Sequence, residues 1–152
     1  MALPTTLGPV RASFAVDTGA AVKVLSEKTY RALKRVSRGG QYRLKPNDLN
    51  LKGVTNDPLE ILGIVCLPVN LDKGTATMRL DFYVVSNFEL PSDGLLGLPA
   101  MKSERMIVIP DRNVVRYQGK SFWAMDSPRS LASSDGEIVP TPNRTYSSGF
   151  PR

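Results

Sequence analysis

Residues 75–85 constrain the fold more than any other stretch of the chain. Ala76, Met78, Leu80, Phe82 and Val84 alternate there with Thr77, Arg79, Asp81 and Tyr83. Successive side chains of a strand point to opposite faces, so the alternation predicts a strand with one buried face. Other segments read the same way. Residues 3–7 and 10–16 are short apolar runs about the turn pair Gly8-Pro9. Residues 20–25 continue as apolar chain, and 42–45 and 49–52 are shorter strand candidates. Residues 59–71 form a long extended run, with Gly63 and Pro68 as kinks or edge positions and a hairpin turn at Asp72-Lys73-Gly74. Residues 106–109 and 114–117 make a hairpin about Asp111-Arg112-Asn113, and Gln118-Gly119-Lys120 turns into a last strand over 121–125. Twelve Gly and twelve Pro suit so turn-rich a chain. One clear helix spans 26–35: Ser26 caps it, Glu27 suits its first turn, Lys34, Arg35 and Arg38 suit its end, and Gly39-Gly40 stops it. The expectation is a mostly β chain.

At 152 residues the chain is one domain with a tail. The domain is expected over 1–126. Residues 127–152 hold six Ser, four Pro and two Gly with few large apolar residues, and read as a disordered linker or tail. No stretch is long and apolar enough to span a membrane, and Met1-Ala2-Leu3-Pro4 lacks the features of a signal peptide. The expectation is a cytoplasmic protein with no membrane partner. The lone Cys66 fits a reducing compartment and reads as a small core residue.

Of the net +6 charge, residues 11–52 hold ten Lys/Arg against three acids, a local +7. Helix-end complementarity and a solvated surface explain much of that cluster. A nucleic-acid or acidic partner is the alternative, weakly supported because only Tyr30 and Tyr42 interleave for base stacking. With no histidine and one cysteine, zinc sites, Ser-His triads and Cys-His dyads are all but excluded. Any hydrolase here works with carboxylates or hydroxyls, with no metal or cofactor.

Residues 14–20, Phe14-Ala15-Val16-Asp17-Thr18-Gly19-Ala20, supply a carboxylate in such a setting. An apolar strand buries Phe14 and Val16 and delivers Asp17 into a small polar turn. Gly19 is expected to provide a backbone conformation closed to other residues. No other aspartate is followed by Thr-Gly or Ser-Gly; Asp93-Gly94 is the nearest and lacks the hydroxyl between. Hydrolysis of a peptide bond by carboxylates needs two, one to take a proton from water and one to give a proton to the carbonyl oxygen. One chain therefore holds half a site, and a C2 homodimer bringing Asp17 against Asp17′ completes it.

Asp17-Thr18-Gly19-Ala20 resembles the signature of retroviral-type aspartic proteases, the retropepsins. Two further features match in order. The hairpin over 49–63, tipped at 53–57, is similar to the family's flap. Leu95-Leu96-Gly97, with Gly97 eighty residues after Asp17, is similar to its apolar-apolar-Gly motif, and the helix near 99–103 also falls where the family has one. The likeness covers roughly residues 3–125. The helix at 26–35 departs from the retroviral pattern, as does Leu98-Pro99, where many retroviral members carry Arg-Asn or Arg-Asp. The style is closer to the proteases of LTR retrotransposons.

The resemblance implies an all-β fold: a retropepsin-like closed β-barrel, half of an acid protease, with one or two short helices, acting as a homodimer. It implies an aspartic endopeptidase that processes a retroelement polyprotein in the cytoplasm or within retroelement particles. Asp17, Thr18 and Gly19 would form the catalytic loop, Thr18 locking the two loops through its hydroxyl. Val54, Thr55 and Asn56 would close over an extended peptide, and Ala15, Ala20 and Leu95 would line its pockets. The terminal strands, 3–7 and 121–125, would interleave across the two-fold axis, with Phe122 and Trp123 at the interface. The alternative is a domesticated dimerisation or peptide-binding module with little or no catalysis.

Overall fold

The computed structural model describes residues 1–37, 41–46, 51–52, 58–71, 76–86, 92–125 and 130–132. Strand β1 (Ala2–Leu7) pairs antiparallel with β2 (Val10–Asp17) across the Gly8-Pro9 turn, in register from Leu7↔Val10 to Ala2↔Ala15. Gly8 sits at φ 61°, a conformation that spares it the Cβ penalty of other residues. Strand β3 (Val24–Ser26) is shorter than the apolar run suggested. Residues 20–23 instead wrap across the later chain, where the Ala20 carbonyl accepts the Leu98 N–H at 2.8 Å.

Helix α1 (Glu27–Val36) begins where expected: the Ser26 hydroxyl oxygen accepts the Thr29 N–H at 3.2 Å. It buries Thr29, Tyr30, Ala32 and Leu33 and exposes Lys28, Arg31, Lys34 and Arg35. Spacings of one, three and four place the buried set on one stripe. The Arg31–Glu27 pair, with Arg31 exposed and Glu27 half-buried, adds little stability. The Gly39-Gly40 stop lies outside the described residues. Residues 42–45 are not a strand: Tyr42 turns to φ 61° and only Lys45 bridges, to Ile64.

Strand β4 (Leu51–Lys52) pairs with the start of β5 (Pro58–Asn70), which pairs antiparallel with β6 (Thr77–Ser86). The register shifts between Ile61 and Gly63, so Gly63 marks a bulge, while Pro68 stays in register opposite Arg79. On β6, Met78, Leu80, Phe82 and Val84 are buried and Thr77, Arg79 and Asp81 are exposed. Cys66 is half-buried, on the face opposite buried Val65 and Leu67, and not a core residue.

Strand β7 (Gly94–Gly97) runs parallel to β2 and antiparallel to β3, and leads into α2 (Leu98–Ser103). The sheet order β1-β2-β7-β3-β6-β5 closes on itself through Thr6↔Asn70, making a six-stranded barrel with β4 appended to β5. The all-β expectation holds, with two α-helices among the described residues. The barrel core includes Leu3, Leu7, Phe14, Leu25, Leu33, Leu67, Met78, Phe82 and Leu96. Phe14 and Phe82 stack at 5.1 Å between ring centroids. Burying each such side chain contributes about 1.5–3 kcal/mol.

A second, three-stranded sheet follows: β8 (Ile107–Ile109), β9 (Val114–Tyr117) and β10 (Lys120–Trp123), in order β10-β9-β8. A turn of 3₁₀ helix (Pro110–Arg112) and Asn113 at φ 52° join β8 to β9. Gln118 and Gly119, at φ 54° and 76°, join β9 to β10 in the paired positive-φ geometry of a tight hairpin. Beyond it, Met125 and Ala2 exchange two backbone hydrogen bonds, of 2.7 and 3.2 Å. The two terminal segments therefore pair within one chain. Strand β1 pairs with β2 along its whole length, and Phe122 is buried among residues of its own chain. Within the expected tail, residues 130–132 lie against the domain, with Leu131 and Ala132 buried.

Candidate active site

Strand β2 carries Asp17 to the barrel rim. Its burial decreases along its length, from buried Ala12, Ser13 and Phe14, through half-buried Ala15 and Val16, to exposed Asp17. Thr18 and Gly19 are also exposed. The Asp17 Oδ1 accepts the Gly19 N–H at 2.9 Å, and the Asp17 carbonyl accepts the Ala20 N–H at 3.1 Å. The side chain thus copies a backbone turn, which holds the carboxylate at the strand end.

Gly19 does not occupy the left-handed region expected of it; Gly8, Gly63 and Gly119 do. Its missing side chain matters for space instead. A Cβ on Gly19 would stand 3.3 Å from Asp17 Oδ1, crowding the carboxylate.

Strand β7 braces this turn from below. Phe14, Ala15, Val16 and Asp17 pair in register with Gly94, Leu95, Leu96 and Gly97. A Cβ on Gly97 would fall 2.5 Å from the Val22 carbonyl oxygen and 2.6 Å from that of Ala20. A Cβ on Gly94 would meet the Phe14 ring and the Val24 carbonyl oxygen at 2.5 Å. Both glycines let backbone pass against backbone. Ala15 and Asp17, two apart, share one face of β2, and Leu95 lies opposite Ala15 in register. Ala15, Ala20 and Leu95 are all half-buried. The chain so brings Ala15, Leu95, Asp17, Thr18, Gly19 and Ala20 to one end of one strand pair. Val54, Thr55 and Asn56 lie outside the described residues.

Thr18 also borders an open apolar groove, with Leu98, Met101, Lys102, Arg105, Met106, Ile107 and Val108 along it. Part of its lining is β8, an edge strand of the second sheet. Ile107 on that edge is 59% exposed. In the sequence, an Ile-Val-Ile triplet before a Pro carries no mark of which edge stays open. Among the described residues no group of histidine, cysteine or acidic side chains could hold a metal ion, and no helix is long and apolar enough to cross a membrane.

A second aspartate, passed over in the sequence because no hydroxyl residue follows it, sits at the opposite end of β7. Asp93 is buried, and its carboxylate accepts hydrogen bonds from Ser13, Thr29, Ser130, Leu131 and Ala132.

No protein-family model and no curated protein sequence matches the chain. Solved structures do. The retroviral protease-like domain of Ddi1 from Leishmania major superimposes with a TM-score of 0.60 at 21% identity, covering 84% of this chain and 97% of that one. The EIAV protease, solved with an inhibitor, gives a TM-score of 0.43 at 18% identity, over 68% of this chain and 86% of that one. The fold is that of the retroviral protease-like domains.

Proposed function

We propose that the chain is an aspartic endopeptidase of the retropepsin type, active as a homodimer in which Asp17 and Asp17′ form the catalytic dyad. The observation that carries this reading is the placement of Asp17. It is an exposed carboxylate at the end of a core strand, held by Gly19 and braced by Gly97, in a fold shared with retroviral protease-like domains. Two carboxyls brought about 3 Å apart do not both ionise, so the pair shares one proton. The ionised member takes a proton from water. The resulting hydroxide equivalent adds to the peptide carbonyl carbon, and the protonated member gives its proton to the carbonyl oxygen. Collapse of the tetrahedral species expels the amine, which leaves with a proton from one carboxyl while a diol hydroxyl returns its proton to the other, so the dyad again holds one. Ala15, Ala20 and Leu95 line the floor for an extended peptide, Val54, Thr55 and Asn56 close over it, and the substrate is a retroelement polyprotein.

The β8 edge supplies the second copy's seat. An exposed apolar edge strand next to Thr18 is a template for pairing with another chain. Ile107→Lys should therefore raise the dimer dissociation constant by at least tenfold, measured by sedimentation, while leaving the circular dichroism unchanged.

The deciding experiment is cleavage of an unbiased peptide pool by wild type and by Asp17→Asn. Cleavage that disappears with Asp17→Asn supports the reading. A wild type that dimerises and binds peptides without cutting them identifies the module without catalysis.

A further inference from the structure

The Asp93 carboxylate is 1% exposed, and five donors meet it. Two come from the barrel and its helix: the Ser13 N–H on Oδ2 at 2.9 Å and the Thr29 hydroxyl on Oδ1 at 3.1 Å. Three come from residues 37 to 39 positions later: the Ser130 hydroxyl on Oδ1, and the N–H groups of Leu131 and Ala132 on Oδ2 at 2.7 and 3.3 Å. A buried carboxylate is tolerated only when its lone pairs are filled. Most of the filling here comes from outside the barrel.

Asp93 also sets the strand that bears Asp17. Its own N–H donates to the Ser13 carbonyl at 2.9 Å, and its carbonyl accepts the Ser26 N–H at 2.9 Å. Ser13 is thus held from both sides by one residue, immediately before the Phe14↔Gly94 pairing that runs on to Asp17↔Gly97. The Thr29 hydroxyl proton points to Asp93, so the Ser26 hydroxyl donates to Thr29 Oγ1 at 2.8 Å, and the start of α1 joins the same network. Lys28 reaches the Ser130 hydroxyl oxygen at 3.3 Å, and Leu131 is 3% exposed.

We infer that residues 130–132 are a clasp whose docking on Asp93 holds β2 and β7 in register, so that the C-terminal segment controls the placement of Asp17. Undocked, it leaves the buried carboxylate with two donors, and the β2–β7 pair loosens at the Asp93 end. Asp93 is a positioning residue and touches no substrate. The control of activity rests on the protease reading above; the docking does not.

Amide hydrogen exchange of the full chain tests the clasp without any need for catalysis. The Leu131 and Ala132 amides should exchange at least a hundredfold more slowly than unstructured chain; free exchange at both overturns the inference. Leu131→Pro removes one donor, and the milder Ser130→Ala removes another. Each should speed exchange in residues 13–17 and 94–97 at least tenfold, with β5 and β6 unchanged. Unchanged exchange in those strands, or equal acceleration everywhere, overturns it. In an active enzyme Ser130→Ala should lower kcat at unchanged KM. An inactive wild type with the expected exchange pattern overturns the protease reading and leaves the clasp standing.

Discussion

Two aspartates bracket one strand pair and live under opposite conditions. Asp17 closes β2 in solvent, and among the described residues one hydrogen bond reaches its carboxylate, from Gly19. Asp93 precedes β7 in the core, with five. A carboxylate whose lone pairs are all occupied is a structural part. One held in place but left uncommitted keeps oxygens free for a water and a proton. The contrast separates the two positions more sharply than the residue type does, since both are aspartates followed within two positions by a glycine.

The largest expected effect breaks the comparison at Asp17. If Asp17 is catalytic as proposed, Asp17→Asn should cut peptide cleavage by at least about a thousandfold, since general acid–base groups contribute about 10²- to 10⁴-fold and the proposed dyad would use both roles. Its urea unfolding midpoint should stay at the wild-type value. Residual cleavage near wild type would remove Asp17 from the chemistry.

Asp93→Ala should behave in the reverse way. Several buried donors lose their acceptor at once, and the cost should reach about 3 kcal/mol or more. Equilibrium denaturation reads it directly. A midpoint unchanged by Asp93→Ala would show that the carboxylate is not holding the strands.

Gly97→Ala probes the brace between the two. Its methyl meets fixed backbone oxygens, so overpacking should cost about 1–3 kcal/mol. Cleavage should fall further than that loss alone accounts for, because the displaced chain is the 20–22 loop beside Asp17. Denaturation and steady-state kinetics on the same preparation separate the two effects.

The smallest effect extends the contrast of buried and exposed groups to the tyrosines. Burial raises the Tyr117 phenol above its usual 10.0, helped by its hydrogen bond to Glu104 and that residue's charge, and burial raises Tyr30. The unfolded phenols ionise near pH 10, before the folded ones, so stability is present in full below that pH and falls as pH rises through the folded values. Thermal melts at pH 9 and pH 11 should show the drop, and Tyr117→Phe should reduce it.

Much of this was legible in local pattern. The alternation over 76–84 predicted which side chains of β6 are buried, because a strand's period of two is a local property. Ser26 announced the start of α1, and Gly8-Pro9 the first hairpin, because caps and turns are made by neighbouring residues. Leu95-Leu96-Gly97 was matched to Asp17-Thr18-Gly19 through the resemblance to retropepsins, and the two segments do pair. Other readings failed where distant chain decides. Tyr42–Lys45 had strand composition, yet a positive φ at Tyr42 and the docking of its carbonyl on the Tyr30 hydroxyl left a single bridge. Leu131 and Ala132 looked like tail because their neighbours are Ser and Pro.

The sequence by itself determined the strands, the first helix, the mostly β class and the one carboxylate set in an Asp-Thr-Gly turn. Each depends on residues within a few positions of one another. Only the tertiary structure decided that the chain ends pair with each other, that β8 keeps an open edge, and that Asp93 gathers donors from β2, α1 and residues 130–132. Those outcomes turn on which distant groups share the space around a buried charge or an unpaired backbone. No local pattern encodes that choice; the closure of the barrel makes it.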